Sequence, residues 1–244
     1  VSSQDERWLL EEKYGGEKSE AFFADLERLR TGEPLAYVIG HVPFLGCQIY
    51  LDSGPLIPRP ETEFWVEKAI EKIKTVATPR VLDLCSGSGA IGVAVAKHCP
   101  AVRVVLSDVT DGHNNTVNRT IRENGVDERQ IEVVNGDLFE NISGRFDFIF
   151  SNPPYIDPAL NRAESSVKAY EPHLALYGGQ GGLDILKRLI EAAPKYLAPE
   201  GQIWLEHEPE QVEAIRQSAE ACGFRATTYP DQYGVQRYSV LKFR

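Results

Sequence analysis

Val81-Leu82-Asp83-Leu84-Cys85-Ser86-Gly87-Ser88-Gly89-Ala90 reads as a buried strand running into a turn of small residues and then a helix. Small residues let a backbone approach a ligand closely, and the unpaired N–H groups of the helix's first turn then face that ligand. In an open α/β sheet the crevice outside the strand C-termini is the usual ligand site. The segment is not a GxGxxG fingerprint, because Cys85 stands where a first glycine would. Nor does a GK[ST] follow to make a phosphate loop. Taken in isolation, the same segment could be a turn that only packs.

The pattern alternates outward from this stretch. Apolar runs at residues 80–84, 103–107, 131–135, 146–151 and 201–206 predict strands, and amphipathic runs at 90–98, 113–124, 183–195 and 209–222 predict helices. Continuous apolar strands separated by helices predict a parallel α/β sheet covered on both faces. Residues 225–229 and 237–243 predict two further strands forming an antiparallel edge. Upstream, residues 5–13 and 19–30 predict two short helices, the second capped by Ser19 and ended by Thr31-Gly32-Glu33-Pro34. Residues 41–51 predict a hairpin turning at Gly46, residues 52–60 a rigid loop with three prolines, and residues 61–74 a helix. The expected division is a small helical docking domain (1–40), a hairpin linker (41–54) and an α/β domain (55–244).

The 244 residues carry 36 acidic and 26 basic side chains, a formal charge of −10, which argues against broad contact with a phosphate backbone. No apolar run reaches the length of a membrane span, and the polar start is unlike a signal peptide. Cys47, Cys85, Cys99 and Cys222 lack CxxC spacing, and the five histidines form no HExxH cluster, so no metal site is expected. Glu206-His207-Glu208 alternates faces on a strand and lacks further ligands. The expectation is a monomeric cytoplasmic protein with reduced thiols, no membrane partner and no direct nucleic-acid partner.

The strand ends carry the chemistry. Asp108, ending the second strand, can accept from both hydroxyls of a ribose. Gly136-Asp137-Leu138-Phe139 follows the third strand, where Asp137 could accept from an adenine amino group and Leu138 or Phe139 could pack on its face. Ordinary capping and loop structure are the alternatives for both. The fourth strand ends in Ser151-Asn152-Pro153-Pro154-Tyr155. A planar –CO–NH2 or aromatic –NH2 group about to be alkylated needs both hydrogens accepted and its lone pair left free. The Asn152 side-chain oxygen and the Pro153 carbonyl can accept them, the prolines fix the geometry, and Tyr155 can pack on the planar group. No general base is required at the outset, since the proton leaves after nitrogen gains positive charge.

With these residues in hand, the chain resembles the protein-(glutamine-N5) methyltransferases of peptide chain release factors from Thr31 to its end. The resemblance rests on Gly32-Glu33-Pro34-Leu35-Ala36-Tyr37, Leu56-Ile57-Pro58-Arg59-Pro60-Glu61-Thr62-Glu63, the Asp83–Ala90 stretch, the Asn152–Tyr155 stretch, Glu171-Pro172 with Ala175-Leu176 and Gly178-Gly179, and Leu205-Glu206 followed by Gln211. It implies a Rossmann-like class I methyltransferase with a mostly parallel seven-stranded sheet and a small N-terminal helical domain. S-adenosyl-L-methionine would be the donor, with S-adenosyl-L-homocysteine the product. The acceptor would be the glutamine of the Gly-Gly-Gln motif in class 1 release factors. Asp83, Cys85, Gly87, Gly89, Asp108, Asp137, Leu138, Phe139 and Asn152 would surround the cofactor. Asn152, Pro153 and Tyr155 would serve catalysis, while Pro58, Arg59, Pro60, Glu61, Pro154 and Glu171 would border the substrate, with Thr62 capping or lining the same place.

Three other readings stay open. Asn-Pro-Pro-Tyr is shared with amino-methyltransferases of nucleic-acid bases, which act on a flipped base. A ribosomal-protein glutamine would need the same chemistry. A non-catalytic binding protein could keep the fold.

Overall fold

A computed structural model describes residues 1–160 and 164–244 of the chain. Three helices open it: α1 (Ser3–Trp8), prolonged by a π-turn over Leu9–Lys13, then α2 (Glu20–Arg30) and α3 (Leu35–Ile39). The Ser19 hydroxyl accepts from the Phe22 amide at the start of α2, as predicted. Leu9, Phe22, Leu26, Leu29, Val38 and Ile39 form a small core of their own. Asp25 enters this core because Lys13 Nζ (2.6 Å), Tyr14 OH (2.7 Å) and Arg28 Nη1 (2.8 Å) all donate to its carboxylate. Next come β1 (His41–Phe44) and β2 (Cys47–Tyr50), an antiparallel hairpin. Leu45 and Gly46 both take positive φ, 47° and 73°, and turns of that hand match the twist of paired strands.

The rest of the chain is the α/β layer. Its elements are α4 (Pro60–Ile73), β3 (Arg80–Leu84), α5 (Ala90–His98), β4 (Arg103–Asp108), α6 (Asn114–Glu123), β5 (Ile131–Asn135), β6 (Phe146–Ser151), α7 (Ser165–Tyr170), α8 (Asp184–Ala192), β7 (Leu197–Glu206), α9 (Val212–Ala221), β8 (Phe224–Pro230) and β9 (Gln236–Phe243). The seven strands run in the order β5-β4-β3-β6-β7-β9-β8. Pairing is parallel as far as β7, and β9 then runs antiparallel to both β7 and β8. The predicted antiparallel edge is present, with the last strand inserted inside it. The predicted helix at 183–195 stops at Ala192 and tightens into a 3-10 turn containing Pro194, which lacks the N–H that would continue it. The helices α3 and α7 are too short to show a periodicity, and neither is among the predicted elements.

Side-chain alternation along each strand feeds two cores. Val81, Phe148, Phe150, Trp204 and Val240 face α4, α5 and α6. Leu82, Leu84, Ile149, Ile203, Leu205 and Leu241 face α8 and α9. This parity also sends Glu206, two residues after Trp204, to the α4 side.

After β6, the stretch around Ile156 is fastened to the stretch around Tyr177 that leads into α8. Ile156 bridges Tyr177, the Ile156 amide donates to the Leu176 carbonyl (2.9 Å), and the Gly178 amide donates to the Ile156 carbonyl (3.0 Å). A Cβ on Gly178 would lie 2.4 Å from the Pro154 carbonyl oxygen and 2.9 Å from Tyr155 Cα, both of them backbone atoms. Gly178→Ala is therefore expected to lower stability by about 2–3 kcal/mol, in the range for overpacked sites. Urea unfolding checks this, and an unchanged midpoint would mean that the two backbones are not in close contact.

Candidate active site

Strand register brings the predicted residues to one edge. Leu84 pairs with Ser107 on one side and Ser151 on the other, and Ser151 pairs with Leu205. Cys85, Asp108, Asn152 and Glu206 each follow one of these paired positions, so all four stand together at the C-terminal ends of β3, β4, β6 and β7. The strand order reverses between β3 and β6, so this edge is also the topological switch point of the sheet.

The glycine turn is strongly left-handed. Cys85, Gly87 and Gly89 have φ of 57°, 50° and 76°. Cys85 takes a conformation that costs a side-chain-bearing residue about 1–2 kcal/mol, and it packs against the Leu82–Leu84 side of the sheet. Burial, with Asp108 nearby, pushes its thiol up to about 12, so it is not a nucleophile at neutral pH. Gly89 precedes α5 without a side-chain cap of its own, and of the amides in that helix's first turn Gly92's is taken by Asp83. Asp108 braces the turn, its Oδ2 accepting from the Gly87 amide (2.8 Å) and its Oδ1 from the Thr110 amide (2.9 Å). Asp83 is fully buried. Its Oδ2 accepts from the Gly92 amide (3.0 Å), whereas its Oδ1 has no partner, alone among the buried side-chain polar atoms of the described residues. Burial raises the Asp83 carboxyl to about 8.

The loop after β5 is placed differently for each of its residues. Asp137 is half exposed and accepts from Arg188 Nη2 of α8 (2.7 Å). Leu138 has φ 53°, and its carbonyl accepts from Ser107 Oγ (3.0 Å), tying the loop to β4. Phe139 is buried and stacks on Tyr196 with centroids 4.4 Å apart.

Asn-Pro-Pro-Tyr is anchored from below. Ser151 Oγ donates to the Leu84 carbonyl (2.8 Å). Asn152 Nδ2 donates to Thr62 Oγ1 (3.2 Å), and Thr62 Oγ1 donates in turn to Glu206 Oε2 (2.7 Å). Trp65 Nε1 donates to that same oxygen (2.8 Å), and Tyr155 OH donates to Glu206 Oε1 (2.9 Å). Among the described residues, none donates to Asn152 Oδ1 or to the Pro153 carbonyl. Burial raises the Glu206 carboxyl, opposed by its three donors, and burial beside Glu206 raises the Tyr155 phenol well above its usual range. Tyr155 is thus a neutral donor and a wall, not a base. Gln211 Nε2 holds the backbone behind it through the carbonyls of Tyr155 (2.8 Å) and Gly181 (3.0 Å).

A cavity of about 360 Å³ opens over this segment, lined by Leu56, Arg59, Asn152, Pro153, Tyr155 and Val167 among others. Its rim is clamped by Glu171. The side chain is buried, accepting from the Ile57 amide (3.0 Å) at one oxygen and from Arg59 Nη2 (2.6 Å) at the other. Arg59 therefore pairs across the cavity mouth with Glu171. Glu61, two residues on, makes no ion pair with Arg59. Pro60 and Glu61 sit in the first turn of α4, and Pro58 is half-buried in the loop ahead of it.

Thr62 entered the sequence reading only as a capping or lining residue, and Trp65, Glu206 and Gln211 without a role. The sequence signals for Glu206 are an acid following the apolar Ile203-Trp204-Leu205 run and its place in the Leu205-Glu206 block of the resemblance. Both His207 ring nitrogens are engaged, by the Glu208 carbonyl (2.9 Å) and Ser239 Oγ (2.8 Å). No group of His, Cys, Asp and Glu among the described residues could hold a metal ion, and no helix there is long and apolar enough to cross a membrane.

Comparisons with known proteins agree with this geometry. The family model of the methyltransferase small domain matches residues 66–168. The chain is 37% identical over 215 residues to the release factor glutamine methyltransferase of Bordetella pertussis, covering 87% of this chain and 78% of that protein. It is 31% identical over 228 residues to that of Deinococcus radiodurans, covering 93% and 81%. A solved structure of ribosomal protein L11 methylase from Lactobacillus delbrueckii subsp. bulgaricus superposes with a TM-score of 0.59 at 19% identity, covering 79% of this chain and 83% of that one, a likeness of fold. The identity to these enzymes over most of both chains shows that the chain belongs to the release factor glutamine methyltransferase family.

Proposed function

We propose that this enzyme transfers a methyl group from S-adenosyl-L-methionine to the side-chain amide nitrogen of the glutamine in the Gly-Gly-Gln motif of class 1 release factors. The observation that carries the reading is the pair of unclaimed acceptors, Asn152 Oδ1 and the Pro153 carbonyl, at the switch point of a methyltransferase fold.

The cradle fits the donor. Gly87 has open space where a Cβ would stand, Gly89 packs closely on Val117 and Leu106, and Asp108 keeps lone pairs for ribose hydroxyls after bracing the turn. The buried Asp83 Oδ1 lacks a partner and suits the donor's cationic ammonium, which would restore the carboxylate form. Bound there, the donor supplies a sulfonium-activated methyl group. The protein's own part is orientation. Asn152 Oδ1 and the Pro153 carbonyl accept the two amide hydrogens, which fixes the amide plane and so aims the lone pair, perpendicular to it, toward the cradle. The same two oxygens stabilise positive charge developing on nitrogen through its N–H bonds; as the N–C bond forms the S–C bond would break to leave S-adenosyl-L-homocysteine, and the proton then passes to water. The Tyr155 ring bounds the planar group, and the Arg59–Glu171 clamp fixes the cavity mouth. Pro153 and Pro154 keep this arrangement formed before substrate arrives.

Purified enzyme given labelled donor and a release factor is expected to label the wild-type factor and not its Gly-Gly-Ala variant. Absence of label with donor-loaded enzyme would sink the substrate assignment. Asn152→Ala is expected to lower kcat by about 10²–10³, the size seen when one preorganised polar group is lost, with donor affinity nearly unchanged. Equal losses in both would move Asn152 into a cofactor-holding role.

Asp83 generates a pH test. Its folded pKa of about 8 lies above the unfolded value of 3.8, so the folded state binds the extra proton between them. Stability from this group is full below pH 4 and declines as pH rises through 8. Asp83→Asn is expected to remove that decline from the donor-free melting curve and to weaken donor binding. Parallel wild-type and variant curves over this window would show that Asp83 stays ionised.

A further inference from the structure

We propose that Thr62 and Glu206 are positioning residues that decide which end of the Asn152 amide faces the substrate. The inference rests on the glutamine reading above and deepens it. An asparagine side chain has two nearly isosteric ends, one accepting and one donating. Turned the wrong way, Asn152 would present its –NH2 to the –NH2 of the substrate and could not bind it. Something must fix the choice before substrate arrives.

With Glu206 ionised, the hydrogen-bond directions fix it. An indole N–H can only donate, so Trp65 Nε1 at 2.8 Å defines Glu206 Oε2 as an acceptor. A proton on Glu206 keeps these directions when it sits on Oε1, where it would donate to Tyr155 OH in place of the bond Tyr155 now gives. The Thr62 hydroxyl has one hydrogen, and it goes to Oε2 at 2.7 Å. Thr62 Oγ1 can then only accept from Asn152, and what lies 3.2 Å away must be Nδ2. Asn152 Oδ1 is left turned toward the cavity. Thr62 and Glu206 are themselves buried, at 3% and 1% exposure, so water cannot easily substitute for either link. Their side chains hold Asn152 from behind and do not enter the cavity lining.

Thr62→Val removes the hydroxyl at nearly constant volume, and Thr62→Ser restores it. Glu206→Leu removes the acceptor. Glu206→Gln keeps an oxygen for Trp65 and Thr62 while its amide donates to Tyr155 OH. Thr62→Val and Glu206→Leu are expected to lose about ten- to a hundred-fold in kcat, short of the Asn152→Ala loss, with donor Kd within about twofold. Thr62→Ser and Glu206→Gln are expected to stay within about threefold of wild type. Wild-type turnover by Thr62→Val would overturn the proposal. So would Thr62→Ser failing as badly as Thr62→Val, because packing rather than the hydroxyl would then matter.

A second readout needs no substrate. The Asn152 side-chain amide signal of ¹⁵N-labelled protein, assigned by its loss in Asn152→Asp, is expected to exchange slowly in wild type and Thr62→Ser and rapidly in Thr62→Val. Equal exchange in all three would overturn the relay. If wild-type enzyme methylates no glutamine but this pattern holds, the substrate reading fails and the relay stands.

Discussion

A carboxylate with almost no access to water is unfavourable unless donors replace the water it has lost. Glu206 finds its donors on two other parts of the chain: Thr62 and Trp65 on α4, and Tyr155 on the loop after β6. The carboxylate is satisfied only when helix, loop and strand are all in place. Removing any one leaves a buried charge or a buried phenol short of a partner, at a cost of about 1–3 kcal/mol per unsatisfied group. This coupling ties the Asn152–Tyr155 segment to α4 and β7. Asn152 inherits its position from that arrangement rather than from its own local backbone.

The opposite wall of the cavity uses the same device. Glu171 lies far along the chain from Arg59, yet its buried carboxylate takes both the Arg59 guanidinium and the Ile57 amide. One side chain thereby ties down the end of a proline-rich loop whose earlier part is held by Tyr37 OH at the Pro55 carbonyl and by Arg119 at Asp52. Gln211 does the equivalent behind Tyr155, gathering carbonyls from the Tyr155 and Gly181 segments. Each wall of the site is thus a loop held by a buried polar side chain from a remote element. The glycine at 178 is needed because the loops approach within backbone contact.

These remote ties explain what could be read from the sequence and what could not. The strands β3, β5 and β6 carry apolar runs bounded by turn residues, so their limits were legible, and so was the glycine turn opening α5. The candidate acceptors in Asn-Pro-Pro-Tyr were legible because proline fixes geometry locally. The partner of the Asn152 amide was not, since Thr62 lies 90 residues from it in the chain and Glu206, which takes the Thr62 hydroxyl hydrogen, lies 144 residues from Thr62. Glu171 in a proline-containing loop carries the signature of a solvent-facing acid. Only the fold reveals that it is buried. Helix α7 also escaped notice, since six residues of Ser-Ser-Val-Lys-Ala-Tyr show no apolar period.

The walls of the cavity bear on which planar nitrogen it takes. Two acceptors can hold a carboxamide or an aromatic amine equally well, so Asn152 and Pro153 alone do not choose. Extruded bases are gripped by stacking between flat side chains. Here the aromatic surface comes from Tyr155, while Leu56, Ile156, Val167, Ala175 and Leu176 are aliphatic. Aliphatic walls suit the methylene stem of a glutamine, which has no ring face to offer. The formal charge of −10 points the same way, because a base would arrive with its phosphates and a protein loop need not. Selectivity for the amide in this site therefore resides in the lining around the acceptors, and reactivity in the polar ties beneath them.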